Sequence, residues 1–235
     1  MTEVKFTSEI PVELVKTDFS DEWPCFAAWT STRGDEATPE VKRGLINRLM
    51  ADKHGSVFEH CNITFRVTAP LFVWREHHRH RIGFSYNEES GRYKVLNPLF
   101  YSPDLERPLQ TVQGSKQMDY VYAPGTDEQV ALMYTTEKQV CQLAYDVYER
   151  RLAAGIIKEI ARKDLPLSVM STCVVTTNPR ALMNFIALRT RDERARFPSK
   201  PQIEIEMVAR QYEQLFAQAA PMTYQAFNDN GRVAP

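Results

Sequence analysis

Residues 61–83, CNITFRVTAPLFVWREHHRHRIG, change their hydrophobic period in the middle. Ile63, Phe65, Val67 and Ala69 alternate with Asn62, Thr64, Arg66 and Thr68, the period of a half-buried strand from Cys61 to Ala69. Pro70 closes that strand and opens a helix from Leu71 to about Arg81, with Gly83 as its stop. Upstream, Thr38-Pro39-Glu40 reads as a helix start, with an N-cap hydroxyl, proline at the first position and an acid in the first turn. Val41, Leu45, Ile46, Leu49 and Met50 continue it at helical spacing, and Gly55 ends it.

Downstream, residues 94–126 carry Pro98, Pro103, Pro108 and Pro124 with little periodicity, which predicts a long surface excursion. A helix follows from about Asp127 to Ala154, with Val130, Met133, Val140, Leu143, Ala144 and Val147 as its buried stripe and Gly155 as its stop. A short helix over Ile156–Asp164 precedes a strand rich in Val, Ser and Thr over Leu167–Thr177. Asn178-Pro179 caps a helix through Leu188, with Leu182, Phe185 and Ile186 on its apolar side, and Pro201 opens a last long helix to about Ala219. No internal repeat or low-complexity linker interrupts the chain. The expectation is one α+β domain over residues 1–235, with helices around a modest central sheet.

The 235 residues suffice for one sizeable core, and 43% apolar with 25% charged residues is an ordinary globular composition. A formal net charge of −1 argues against bulk electrostatic binding to nucleic acid. Cys25, Cys61, Cys141 and Cys173 lie far apart with no CxxC pair, which reads as free thiols in a reducing cytosol rather than a zinc ribbon. Met1 to Glu13 is acidic and lacks the apolar run of a secretory signal, and no stretch approaches the ~18 apolar residues of a membrane span. A cytoplasmic protein is expected.

The densest chemistry lies in residues 75–93, REHHRHRIGFSYNEESGRY, with arginines at Arg75, Arg79, Arg81 and Arg92, three histidines, three glutamates and Lys94 just beyond. A guanidinium presents a planar fork of donors that matches phosphate or carboxylate, so the cluster suits an anionic ligand. On a helix Glu76, Arg79 and His80 share a face while Arg81 lines up with His77 and His78, so the two arginines of Arg79-His80-Arg81 reach different places. Past Gly83 an extended chain would alternate Glu88, Ser90 and Arg92 onto one face. The bland alternative is a salt-bridged exposed helix followed by a turn.

All five histidines, His54, His60, His77, His78 and His80, fall in one region, and His77 and His80 have the spacing of two helical metal ligands. No HExxH appears and local spacing fixes no third ligand, so a metal-dependent hydrolase stays open only as a competing reading. A non-catalytic nucleic-acid module on the basic segment is another. In a second constellation, Asn178, Arg180, Asn184 and Arg189 set polar groups into an apolar helix whose N-terminus presents free backbone N–H groups. Taken alone, that segment is better explained by an ordinary N-cap and a surface arginine, and Arg162 has the same bland default. No G-x-S-x-G, P-loop or G-x-G-x-x-G occurs, so an enzyme built from this chain would rely on a cofactor.

Arg79-His80-Arg81, then eight residues, then Ser90 resembles the signature of the flavin-dependent thymidylate synthases, in which RHR is followed by seven or eight residues and a serine. His54-Gly55-Ser56-Val57-Phe58-Glu59-His60 is similar to that family's H-x-(S/T)-x-F-E-H segment, and Leu165-Pro166 to its LP step. The helix from Asn178 to Arg189 resembles N-A-R-x-L-x-N-F-x-x-L-R, with Pro179 in place of the usual alanine, which a helix's first position tolerates. The likeness covers about residues 35–230 in four ordered segments.

The resemblance implies a homotetramer with a mostly antiparallel central sheet, its active sites built from several chains. It implies FAD as cofactor, NADPH and methylenetetrahydrofolate as co-substrates, and conversion of dUMP to dTMP. Ser56, Arg79, His80, Arg81, Glu88, Asn178, Arg180 and Asn184 are implied to lie on FAD. Glu76, Arg79, Glu88, Glu89, Ser90, Gly91, Arg92, Arg162 and Arg189 are implied to lie on dUMP, with Glu88 to Arg92 reaching from a neighbouring subunit. Arg189 would stabilise negative charge on the pyrimidine, and no protein nucleophile would be needed.

Overall fold

The change of period at Pro70 is a change of element: a strand ends there and a helix begins at the next residue. The computed structural model describes residues 2–31, 37–115 and 120–235. In chain order the first half runs β1 (Lys5–Thr7), β2 (Val12–Thr17), α1 (Glu22–Trp29), α2 (Pro39–Ala51), a 3₁₀ turn (Gly55–Phe58), β3 (Ile63–Pro70), α3 (Leu71–His77), β4 (Phe84–Glu88) and β5 (Leu99–Tyr101). There follow β6 (Gln110–Thr111), β7 (Tyr122–Ala123), α4 (Asp127–Ala153), α5 (Lys158–Ala161) with a 3₁₀ turn (Arg162–Asp164), β8 (Met170–Thr177), α6 (Pro179–Arg189), α7 (Ile203–Ala219) and α8 (Pro221–Asp229). The fold class is α+β. A four-stranded sheet has the order β2-β3-β8-β4, with β2 antiparallel to β3, and β1 pairs with β5 in parallel.

The chain divides into two compact units, one of Met1–Ile10, Thr68–Arg75 and Glu88–Thr172, the other of Pro11–Val67, Glu76–Asn87 and Cys173–Pro235. In the first, Phe100 of β5 is fully buried with Val4, Cys141, Tyr145, Tyr148, Ala161 and Val169. Helix α4 starts with a capping box between Thr126 and Gln129, within a residue of the sequence expectation. Its buried stripe differs from the aliphatic one expected. Cys141, Tyr145 and Tyr148 face the core, whereas Val140 and Leu143 are 57% and 63% exposed. The tyrosines can be buried because the Leu96 backbone satisfies both hydroxyls: Tyr145 donates to its carbonyl at 2.9 Å and Tyr148 accepts its N–H at 3.1 Å. The 94–126 stretch is also more than an excursion, since it contributes β5 to the core and the β6–β7 pair; its residues 116–119 lie outside the described residues.

In the second unit, α7 buries Ile205, Val208, Ala209, Tyr212 and Phe216 along one side, the spacing of an amphipathic helix. Tyr212 stacks on Phe65 of β3 with centroids 4.2 Å apart, and Phe185 of α6 meets Tyr212 edge-on. Asn178 caps α6 as expected, its Oδ1 accepting the Ala181 N–H at 2.9 Å. Helix α8 has a remote cap: Asp21 accepts the N–H groups of Met222 and Thr223 and the Thr223 hydroxyl. Thr64, expected on the polar face of β3, is buried and shares a 2.9 Å hydroxyl bond with Thr176 of β8. Gly55 does not end α2 but opens the 3₁₀ turn, and Lys53, at φ 63, makes the reversal.

Candidate active site

Helix α3 stops at His77, four residues before the sequence suggests, and the cause is a side chain from β4. The Tyr86 hydroxyl points at the carbonyls of His77 (3.0 Å), which also accepts the His80 N–H, and of His80 (2.8 Å), at the end where a helix leaves carbonyls without onward partners. His77 is fully buried, its Nδ1 3.1 Å from the same hydroxyl and its Nε2 3.0 Å from the Tyr212 hydroxyl. With Tyr86 donating to a carbonyl, Nδ1–H is the donor and Nε2 the acceptor, a neutral imidazole. Burial, with the nearby His80, pushes the His77 pKa down to about 3. Arg79-His80-Arg81 therefore lies in the turn after α3, not on its face. Among the described residues no group of three or more His, Cys, Asp or Glu is placed to hold a metal ion.

That turn forms one wall of a cavity of about 740 Å³. Arg79, His80, Arg81, Ile82, Gly83 and Phe84 supply the wall, Asn178, Arg180, Ala181 and Asn184 face it from the start of α6, and Glu59 completes the lining. Six of the eight residues expected on the flavin thus line one space. Gly83 is required twice over: its φ is +73°, and a Cβ there would sit 2.6 Å from the Ala181 Cβ. Arg79 and Arg81 pair with no carboxylate among the described residues. Arg180 is held at both ends, its Nε donating to the Pro235 carbonyl at 2.6 Å and its Nη1 to Glu59 at 2.6 Å. Ser56, on the 3₁₀ turn, is exposed and outside the cavity lining, although the backbone of its neighbour Gly55 packs under the Arg180 guanidinium.

His80 joins the cavity to Arg189, the last residue of α6. The Arg189 Nε–H donates to His80 Nε2 at 3.1 Å, so the His80 proton resides on Nδ1, and Arg189 Nη1 donates to Glu76 Oε2 at 2.7 Å. Burial and then the Arg189 charge push the His80 pKa down to about 4. Burial holds the Glu76 carboxyl above its ordinary range, Arg189 opposing and Glu204 adding to the effect. The Arg189 side chain is only 15% exposed, a nearly desolvated cation.

The remaining expected nucleotide residues belong to the first unit. Glu88 accepts the Ser171 hydroxyl at 2.6 Å, and Glu89 accepts the Thr172 N–H at 2.9 Å and pairs with Lys94. The extended chain expected past Gly83 holds through Glu88, the last residue of β4, but does not continue to Arg92. The Tyr93 N–H donates back to the Ser90 carbonyl at 3.0 Å, which makes Ser90-Gly91-Arg92 a turn. Arg162 packs so closely on Gly91 that a Cβ there would meet its Cδ at 2.8 Å. Arg92 lies 2.9 Å from Glu159, an exposed pair, and Arg162 has no carboxylate partner among the described residues.

All four cysteines are buried, and burial pushes the Cys61 thiol up to about 12 and the Cys25 thiol up to about 11. Glu59 and the Ile82–Phe84 turn, which the motif resemblance does not place on the flavin, also line the cavity.

Comparison with known proteins fits this geometry. The family model described as thymidylate synthase complementing protein matches residues 13–222. The flavin-dependent thymidylate synthase of Streptomyces coelicolor is 48% identical over 238 residues, covering 99% of this chain and 96% of the relative. That of Tropheryma whipplei is 48% identical over 235 residues, covering 98% and 97%. The crystal structure of the UMP/dUMP methylase PolB from Streptomyces cacaoi, bound with 5-Br UMP, superposes with a TM-score of 0.91 at 42% identity, covering 100% of both chains.

Proposed function

The chain belongs to the thymidylate synthase complementing protein family, that of the flavin-dependent thymidylate synthases, and from that premise we propose how its residues divide the work. It is a methyltransferase that converts dUMP to dTMP, with methylenetetrahydrofolate as one-carbon donor, NADPH as reductant and FAD as cofactor. The observation that carries the residue assignment is the His80 bridge, one imidazole that both lines the 740 Å³ cavity and accepts a hydrogen bond from Arg189.

The cavity suits a flavin dinucleotide in its donor chemistry. Arg79 and Arg81, without carboxylate partners, offer charge-assisted bonds to a pyrophosphate, and Asn178, Arg180 and Asn184 offer amide and guanidinium donors along the opposite wall. Ser56 and Glu88 complete the flavin set. FAD, when bound, supplies the redox capacity that carries reducing equivalents from NADPH to the transferred carbon. The protein's own part is to bind and orient the nucleotide and to stabilise charge. Arg79, Arg92 and Arg162 hold the dUMP phosphate, with Glu76, Glu88, Glu89, Ser90 and Gly91 around the nucleoside. Arg189 lies at the N3/O2 edge of the uracil and stabilises the negative charge that makes C5 a nucleophile. Its low exposure raises the worth of that interaction.

Residues 1–235 act as one synthase domain and assemble as a homotetramer, with Glu88 to Arg92 serving the nucleotide of a neighbouring subunit. A cytoplasmic setting accords with four free cysteines, and among the described residues no helix is long and apolar enough to cross a membrane. The test is colour and turnover. Purified protein should be yellow, bleach with NADPH, recover in air and form dTMP from dUMP. A colourless protein that FAD cannot reconstitute would contradict the reading. Light scattering should give about four times the 27.1 kDa chain mass, and a monomer would remove the shared site.

A further inference from the structure

Behind the C-terminal end of α6 lies a buried polar cluster that the site described above does not use. The Arg232 side chain is 0% exposed. Its Nη1 donates to Glu213 Oε1 at 2.6 Å and Asn228 Oδ1 at 2.8 Å and lies 3.2 Å from an Asp192 oxygen, while its Nη2 donates to the Thr190 hydroxyl at 3.0 Å. Glu213 also accepts from Tyr224 at 3.0 Å and from Arg210 at 3.0 Å.

The cluster is costly in three separate ways. Arg232 has φ +55°, a left-handed conformation unfavourable for a side chain of its size. Its Nε is buried with no partner, which leaves a desolvated donor unmade. Its charge and those of Glu213 and Asp192 are withdrawn from water, where a packed apolar cluster of similar volume is often no less stable. Stability alone is a poor reason for such a cluster. What it fixes is one point of backbone. Thr190, the C-cap of α6, donates its N–H and its hydroxyl to the Ile186 carbonyl at 3.0 and 2.7 Å, and the hydroxyl oxygen is the atom that receives Arg232. On the far side, the Arg191 N–H donates to Glu206 at 2.8 Å, and the Arg191 carbonyl accepts from Arg210. The residue immediately before this clamp, the last of α6, is Arg189.

We propose that Arg232 is a positioning residue for Arg189, acting through the hydroxyl of Thr190 to set where the end of α6 delivers its guanidinium. The inference rests on the reading of Arg189 as the charge-stabilising group. A hydroxyl is needed because this atom both donates to Ile186 and accepts from Arg232, which valine cannot do and serine can. Misplacing a reacting group by a fraction of an ångström is felt in turnover before binding.

The test compares Thr190→Val, Thr190→Ser and Arg189→Ala as FAD-loaded enzyme. Thr190→Val should keep flavin content and melting temperature near those of the parent, lower kcat per bound flavin about tenfold and change KM for dUMP by less than about threefold. Thr190→Ser should recover most of that turnover. A parental kcat in Thr190→Val, a loss shared equally by the serine variant, or a loss matched by lost flavin would overturn the proposal. If Thr190→Val does not fold, Arg232→Lys, which keeps the charge beside Glu213 but lacks the fork, should show the same fall in kcat; parental kcat there overturns it equally. Arg189→Ala separates the two readings. If it retains turnover, the assignment of Arg189 fails and takes the inference with it. If it is inactive while Thr190→Val is unaffected, only the inference fails.

Discussion

Two arginine-bearing regions are expected to meet dUMP, and they are built on opposite principles. Around Arg189 the polar groups are tied together: the guanidinium binds Glu76 and His80, and Tyr86, bonded to the buried His77, holds the turn that carries His80. Around Arg92 the groups are half-exposed and loosely held. Arg92 shares an exposed pair with Glu159, of a kind worth about 0–1 kcal/mol, and Arg162 is placed only by packing on Gly91. The difference matches two tasks. Charge developing on a ring needs donors fixed in advance in a dry place, because reorganisation then costs nothing at the moment of reaction. A phosphate needs cations within its reach at a solvent-accessible edge, and exposed arginines supply the charge-assisted donors.

Substitutions should separate the two regions by kind of effect. The largest is expected from Arg189→Ala, which should cut kcat by roughly a thousandfold while the protein stays yellow, as removal of a preorganised charge-stabilising donor does. Single-turnover dTMP formation measures it, and near-parental rates would break the contrast. Next comes Arg81→Ala in the cavity wall, where loss of a charge-assisted contact should weaken FAD by about 10- to 100-fold in a fluorescence titration. A fully loaded variant would remove Arg81 from the flavin. Gly91→Ala tests the looser region: its Cβ must displace Arg162, so KM for dUMP should rise by about tenfold with kcat little changed.

The smallest effect is one of pH on stability. Both imidazole pKa values are depressed on folding, to about 3 at His77 and about 4 at His80, below the ordinary 6.5. The unfolded chain then binds more protons than the folded one below pH 6.5, so stability falls as pH drops from about 6.5 to 4. Glu76, raised by burial, acts in the opposite sense near the acid end, but two imidazoles outweigh one carboxyl. Urea midpoints across that range should fall toward acid, with a shallower slope in His77→Asn. A flat profile would mean the buried region is less dry than described.

The sequence marks the ends of α4 and α6 well because their signals are local: an apolar period that Gly155 stops in α4, and in α6 an Asn178-Pro179 start followed by Leu182, Phe185 and Ile186. It misplaces features that depend on a distant atom. Helix α3 is read through to Arg81 because nothing nearby in sequence stops it; the stop is the Tyr86 hydroxyl, which arrives on β4. Helix α8 goes unread because its cap is Asp21, roughly two hundred residues away. The buried side of α4 is misread because Tyr145 and Tyr148 look amphipathic until the Leu96 backbone satisfies them. At the site, motif spacing brings out the cavity's arginines and asparagines, but not the Glu59 that anchors Arg180, nor the turn that ends the extended chain after Glu88.

The central claim is that a buried charge-stabilising region and a half-exposed phosphate-binding region come from different subunits of one assembly. Arg92→Ala and Arg189→Ala chains, each strongly impaired alone when assayed at dUMP well below KM, can be unfolded, mixed in equal amounts and refolded together with FAD. If the two arginines of a site come from different chains, random mixing should restore about a quarter of parental dTMP formation, since each position is intact in half the chains. If they come from the same chain, every site carries a defect, and a mixture as inactive as its parents would contradict the account.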